Sequence, residues 1–394
     1  MYKKNIYKYN IIVIIIAILM HYLINPAESE SVPAIPKLIH IFSGVILILI
    51  FYSITNYKIS HKIITPFLII GLLFFMENSN GHINQGAQII INIGISFAIA
   101  TYYYYELDGF EFISRGIDFL LIFWVSLLCI QLIFYVISSN LIEFHLFFHP
   151  YSESRVHDLG YLIRLNGVQN EPGTYSNWVF GLVIIRGLKG NKLFDLISLL
   201  SIISITITLS VWGINIGFLY LCVFIVNKLI HEKLNLKNIA LVFVIFSSFL
   251  LLYSFSDSNI GDQILNYIEF RSNLNDDSSG TKIDSWNGFR NIYQNLLFYG
   301  NPISYDFCGG CDSPNDIGIF INLTVYGGFI LSIYLFSIIF IGISKLYNIY
   351  TSILLGAPLL FTKYYFTEPI FWIIFGYCYL VVHQKKSYIR SRGN

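Results

Sequence analysis

Charge is scarce in this chain. Lys, Arg, Asp and Glu make up 12% of its 394 residues, about half the share found in soluble domains. That excludes an ordinary water-soluble globule. There is also no basic block long enough to neutralise a run of phosphates, so nucleic acid is excluded as a partner. Internal repeats are absent, as are low-complexity tracts beyond a bias toward Ile, Asn, Phe and Tyr. Cysteines number five, and only Cys308 and Cys311 are paired in sequence, in Cys308-Gly309-Gly310-Cys311. Two thiols do not make a four-ligand zinc site, although His145, His149 and His157 lie elsewhere in polar sequence. A short disulfide is the first reading of the pair, ahead of metal and of redox chemistry. No metal and no cofactor are expected. Cys129, Cys222 and Cys378 fall in apolar runs and read as packing residues.

What is present is apolar: 55% of the chain is hydrophobic and 17% of the chain is aromatic. Runs long enough to cross about 30 Å of hydrocarbon, near 20 helical residues each, recur from end to end. They are placed at 9–25, 36–56, 62–77, 85–105, 116–140, 173–187, 193–210, 212–228, 238–255, 315–343, 348–363 and 367–383. The expected fold is therefore an all-α integral membrane protein of about 12 transmembrane helices, with residues 1–394 forming a single polytopic domain. Lys3, Lys4 and Lys8 precede the first run like the n-region of a signal peptide. Asn25-Pro26-Ala27-Glu28 is a poor cleavage site, so the run is read as a span.

The placement of Lys and Arg sets the orientation. With both termini cytoplasmic, seventeen of the 24 basic residues fall inside, and only Lys37, Arg155, Arg164, Arg271, Lys282, Arg290 and Lys363 fall outside. Two outer loops are long, 141–172 and 256–314. The second carries eight acids, and Ile283, Trp286, Phe289, Tyr293, Leu296 and Leu297 recur in it at helical spacing. That pattern is an amphipathic helix, lying on the outer leaflet, capping a cavity, or packed on the protein's own helices. In the fourth run, Asn84, Gln85, Gln88 and Asn92 form a polar stripe that should face the bundle interior or a wet cavity rather than lipid, by default for interhelical hydrogen bonding.

Among the outer cations, Arg164 stands seven positions before Glu171, where a polar loop meets an apolar run. A guanidinium offers a forked, permanent charge for phosphate, and a carboxylate can orient or deprotonate a sugar hydroxyl. Glu171-Pro172-Gly173-Thr174 is equally a good helix start, with proline in the first turn and an acid near the positive end of the dipole. Lys282 and Arg290, eight apart, would share a face two turns apart on one helix.

Arg164-x-x-Gly167-x-x-x-Glu171-Pro172 opening a span, with Thr208-Leu209-Ser210 near a helix break, resembles the oligosaccharide-repeat polymerases (Wzy type) of the O-antigen and capsule pathways and their ligase relatives. Ser279-Gly280-Thr281-Lys282 before Trp286, Ser313-Pro314-Asn315-Asp316 before Tyr326-Gly327-Gly328, and Lys363 before Pro369-x-Phe371-Trp372 add to the similarity, which covers mainly residues 160–375. The resemblance implies a metal-independent, inverting glycosyltransferase at the outer face of the bacterial cytoplasmic membrane. Donor and acceptor would be undecaprenyl-diphosphate-linked oligosaccharides, with membrane lipid and a chain-length regulator protein as partners. Arg164 would hold the donor diphosphate and Glu171 the acceptor hydroxyl. Lys282, Arg290 and Arg271, with Gly167 and Asn170 of the motif, complete the implied substrate-binding set. The chain departs from the family in having Lys282 where an Arg is often found, so Arg290 or Arg271 is an alternative occupant of that place. A ligase would differ only in acceptor. A lipid-linked oligosaccharide flippase, with a similar span count, would instead carry charges within a central cavity and short outer loops.

Overall fold

The computed structural model describes residues 93–104 and 112–148 with single gaps, 164–189, 192–231, 277–301 in part, 317–364 and 368–383. The predicted runs at 9–25, 36–56, 62–77 and 238–255, the polar stripe of the fourth run, Arg271 and the Cys308–Cys311 motif lie outside these residues. Everything regular among the described residues is helical, and no strand occurs there.

In chain order the elements are α1 (Phe112–Ser138), a short α2 (His145–Phe148), α3 (Pro172–Gly187), a 3-10 turn (Lys192–Phe194), α4 (Leu196–Ile207) and α5 (Val211–His231). They continue with α6 (Asp277–Ile292), a second 3-10 turn (Tyr293–Asn295), α7 (Ile319–Gly327), α8 (Phe329–Leu346), α9 (Ile349–Leu360) and α10 (Pro369–His383). Two of them, α1 and α8, are long and apolar enough to cross a membrane. Along α1, Phe119, Ile122, Ile133 and Phe134 remain exposed on the bundle surface.

The hub is α3. Fifteen of its sixteen residues are buried, as expected of a helix apolar on nearly every side, and it packs on α1, α4, α5 and α10. The bundle closes around it through α4 on α5, α5 on α9, and α9 and α10 on α8. Where α3 crosses α10, a side chain at Gly181 would collide with Ile370 and the Tyr364 hydroxyl. Glycine there lets the two backbones approach closely.

The two ends of α3 give the bundle two distinct poles. At the Gly187 pole Arg186, 1% exposed, is bonded by its Nε to Asp118 of α1 and by its terminal nitrogens to both carboxylate oxygens of Asp195, the cap of α4. The Lys192 carbonyl and the Ser198 hydroxyl accept further bonds from it, so every nitrogen of the fork has a partner. Lys192 also pairs with Asp118 at 3.6 Å, Lys189 donates to the Tyr103 carbonyl at 3.0 Å, and the Tyr347 hydroxyl after α8 donates to the Gly187 carbonyl. Arg186, Lys189, Lys192 and Lys345 thus gather at one pole. The α4–α5 turn belongs to the other, where Thr208 and Ser210 lie against Ser176 in the first turns of α3.

One predicted span is corrected. The run 315–343 is two helices, because Gly328 adopts φ +85 between α7 and α8, a conformation that side chains disfavour. The amide freed after the break, that of Phe329, is taken by the Leu296 carbonyl at 2.7 Å, and the Asn301 amide donates to the Val325 carbonyl at 2.6 Å.

Candidate functional site

Residues 164–171 form a strap that enters the Pro172 pole just before α3. Gly167 turns it, at φ +57, and the Gln169 amide closes the turn on the Asn166 carbonyl at 3.0 Å. Gln131, buried within apolar α1, fastens the strap from below. Its Nε2 donates to Asn166 Oδ1 at 2.9 Å and to the Ile142 carbonyl at 2.8 Å, while its Oε1 accepts from the Gly167 amide at 2.9 Å. Both amide protons and the carbonyl of one side chain are therefore used, and they tie the α1–α2 loop to the strap.

Arg164 begins the strap and is buried, at 6% exposure. Asn170 and Glu171 are half-buried. Glu171 occupies the N-cap position of α3 in extended conformation, φ −134 and ψ 138, but its side chain makes no capping hydrogen bond. An extended backbone is what the following Pro172 enforces. The carboxylate leans over the first turn, with Oε1 3.3 Å from the place a Gly173 Cβ would take, so the positive end of the helix dipole faces it. The helix-start reading of Glu171-Pro172 is thus correct as local structure, and it leaves the carboxylate available.

Beneath that turn lies a cluster of hydroxyls. Ser176 Oγ donates to the Pro172 carbonyl at 2.9 Å and lies 3.1 Å from Thr208 Oγ1 and 2.9 Å from Ser210 Oγ. Thr208-Leu209-Ser210 is the turn between α4 and α5, with Leu209 at φ +52, so the motif expected near a helix break sits at one. Ser210 Oγ accepts the Gly213 amide at 2.9 Å, which caps α5.

The other predicted residues belong to α6. Lys282 is half-buried and Arg290 exposed, so the shared face expected of them is not equally covered. The helix does pack on the protein, through Phe289 and Ile292, while Ile283, Trp286 and Tyr293 stay exposed. The amphipathic pattern therefore resolves into a partly packed helix with an aromatic outer side. Its exit is tied to the α7–α8 junction by the Leu296 and Asn301 bonds described above.

Three buried polar groups escaped sequence reasoning. Glu368, 5% exposed, precedes Pro369 at the start of α10 just as Glu171 precedes Pro172. The connection that carries it is held on α3, since the Tyr364 hydroxyl donates to the Asn177 carbonyl and its ring meets Trp178 edge-on at 6.3 Å. The repeated Glu-Pro at two apolar helix starts was the available signal. Asn322 of α7 is buried with neither amide atom hydrogen-bonded among the described residues. His145, considered only as a distant metal ligand, is the third. Among the described residues no group of three or more His, Cys, Asp or Glu is arranged to hold a metal.

No family model, curated protein or solved structure matches the chain.

Proposed function

We propose that the chain is a multi-pass protein of the bacterial cytoplasmic membrane that polymerises undecaprenyl-diphosphate-linked oligosaccharide repeat units into O-antigen or capsular polysaccharide. The observation that carries the reading is the strap: a buried Arg164 and an uncapping Glu171 carboxylate, fixed at one pole of an apolar helical bundle by Gln131. Charged groups held in such surroundings are expensive and mark substrate sites by default. Orientation is supported by the gathering of Arg186, Lys189, Lys192 and Lys345 at the opposite pole, which by the positive-inside rule is cytoplasmic. The Pro172 pole then faces outward.

In this reading Arg164 binds the donor diphosphate, a dianionic leaving group that a guanidinium fork fits. As the anomeric C–O bond breaks, charge accumulates on that diphosphate, and Arg164 stabilises it. Glu171 accepts the proton of the acceptor hydroxyl, which attacks the anomeric carbon from the opposite side and inverts it. Lys282, Arg290, Arg271, Gly167 and Asn170 are the remaining substrate-binding residues of the proposal, Gly167 through its backbone only.

The test is the size distribution of surface glycan and lipid-linked intermediates after deletion of the gene, with rescue by wild type, Arg164→Ala and Glu171→Ala. Single repeats that reach the outer face without long chains support polymerisation. Long chains that stay on the lipid carrier would make the protein a ligase. Repeats that never reach the outer face would make it a flippase.

A further inference from the structure

His145 opens α2, and its side chain is wholly buried, at 0% exposure. Neither ring nitrogen has a hydrogen-bond partner among the described residues. Asn166, also at 0%, has the same deficit on one side only: Gln131 takes its Oδ1, while its Nδ2 has no acceptor among the described residues. Buried polar groups are almost always satisfied, so three such atoms call for a missing partner.

Gln131 joins the two segments that carry them. The Gln131 amide nitrogen that binds Asn166 Oδ1 also binds the carbonyl of Ile142, three residues before His145. Three residues of chain reach at most about 10 Å, and Arg164 stands two residues before Asn166. Burial pulls the His145 pKa below its usual value against the opposing charge of Glu143, and so favours the neutral ring. A neutral ring presents one N–H and one lone pair, and the Asn166 amide adds a second donor. An anion would meet that lone pair unfavourably, and a metal would find no carboxylate or thiolate in the set. A hydroxyl, which both donates and accepts, matches it.

We propose that His145 and Asn166 form a subsite for a sugar hydroxyl beside Arg164, so that the strap recognises the saccharide of a lipid-linked substrate as well as its diphosphate. The inference rests on the polymerase reading for its substrate class and names the part of that substrate the subsite holds.

The experiment uses the full chain in nanodiscs, with two probes: lipid-linked oligosaccharide extracted from cells deleted for the gene, and undecaprenyl diphosphate without sugar. His145→Phe keeps the ring shape and removes both nitrogens. Its melting temperature should stay at or above that of the wild type, because unmet polar atoms have been replaced by apolar ones. Its affinity for the oligosaccharide lipid should fall about tenfold, the value of one or two neutral hydrogen bonds, with affinity for the bare diphosphate lipid unchanged. His145→Gln, which retains a donor and an acceptor, should recover most of the loss. Should His145→Phe fail to accumulate, His145→Leu answers the same question. Wild-type affinity of either apolar variant for the oligosaccharide lipid overturns the subsite and assigns the unmet atoms to buried water; so does an equal loss for both lipids. If the wild type binds and discriminates as described but never extends the oligosaccharide, the subsite stands and polymerisation falls. If the wild type extends it while His145→Phe binds normally, the subsite alone falls.

Discussion

Gln131 and Asn166 are joined side chain to side chain at 2.9 Å, and the carbonyl of the same glutamine holds the next residue's amide, that of Gly167, at 2.9 Å. An amide in the middle of an apolar helix thus sets the position of the strap bearing Arg164 and Glu171. Gln131→Leu leaves the Gly167 amide without its present acceptor and the Ile142 carbonyl without its present donor. The expected effect is a stability loss of about 1–3 kcal/mol with shortened surface glycan. Gln131→Glu keeps an acceptor for Gly167 but cannot donate to both carbonyls, and should fall between. Thermal melts in detergent alongside glycan sizing check both; long chains from a well-folded Gln131→Leu would detach the strap from activity.

Gly167 was expected to help bind substrate, and the structure gives it a backbone task. At φ +57 a side chain is strained, and a Cβ would also stand 2.9 Å from the Tyr175 ring. Gly167→Ala should therefore cost about 1–2 kcal/mol from conformation alone, and more if Tyr175, hydrogen-bonded to Ser204 at 3.0 Å, must shift. Gly167→Asn tolerates the left-handed turn better yet is bulkier. If Gly167→Ala melts like the wild type, the turn is not the reason for glycine.

Much of the bundle was legible because it depends on run length. The predicted runs 173–187 and 367–383 differ from α3 and α10 by no more than two residues at either end, since hydropathy ends where the helices do. The break inside 315–343 was not legible. Gly327-Gly328 barely alters the mean hydropathy, and the carbonyl that satisfies the freed Phe329 amide comes from Leu296, far away in sequence. Gln131 was missed for a related reason: one amide in α1 looks like an ordinary interhelical polar residue until Asn166 and Gly167 of the strap are seen bonded to it. Arg164 and Glu171 were singled out because a cation and an acid at the edge of an apolar run are conspicuous. Glu368, in the same Glu-Pro setting, stands out only once the structure shows it buried.

His145 gives a pH dependence whose sign follows from its burial. Its folded pKa lies below the ordinary 6.5, so the unfolded chain binds the proton more readily. Stability from this group is complete above about pH 6.5 and is lost as pH falls toward the folded pKa. Glu143, whose charge favours the protonated ring, reduces the slope without reversing it. Melts of wild type and His145→Phe between about pH 8 and pH 5.5 should run parallel at the alkaline end. Below the crossover the wild type should drop faster. Parallel curves throughout would mean that the ring is wet.

Arg186 and Arg164 should separate structure from activity. Arg186 is the more deeply buried, and its fork is used by Asp118 on α1 and by Asp195, the cap that starts α4. Arg186→Ala takes the guanidinium from two carboxylates at the junction of three helices, leaving Asp118 with Lys192 and Asp195 with the Ser198 amide. Losing one partner of a buried pair costs about 3–5 kcal/mol; here the lower end applies, because both acids are partly wetted, with side-chain exposures of 23% and 39%. The variant should be depleted from the membrane, and Arg186→Lys, which carries the charge without the fork, should recover part of the protein. Arg164→Ala should behave oppositely, with protein at wild-type abundance and no polymer. Quantitative membrane immunoblots beside glycan gels read both arms at once. Normal chain lengths with Arg164→Ala would remove that residue from the reaction, and an abundant, active Arg186→Ala would show that the Gly187 pole is held together by packing alone.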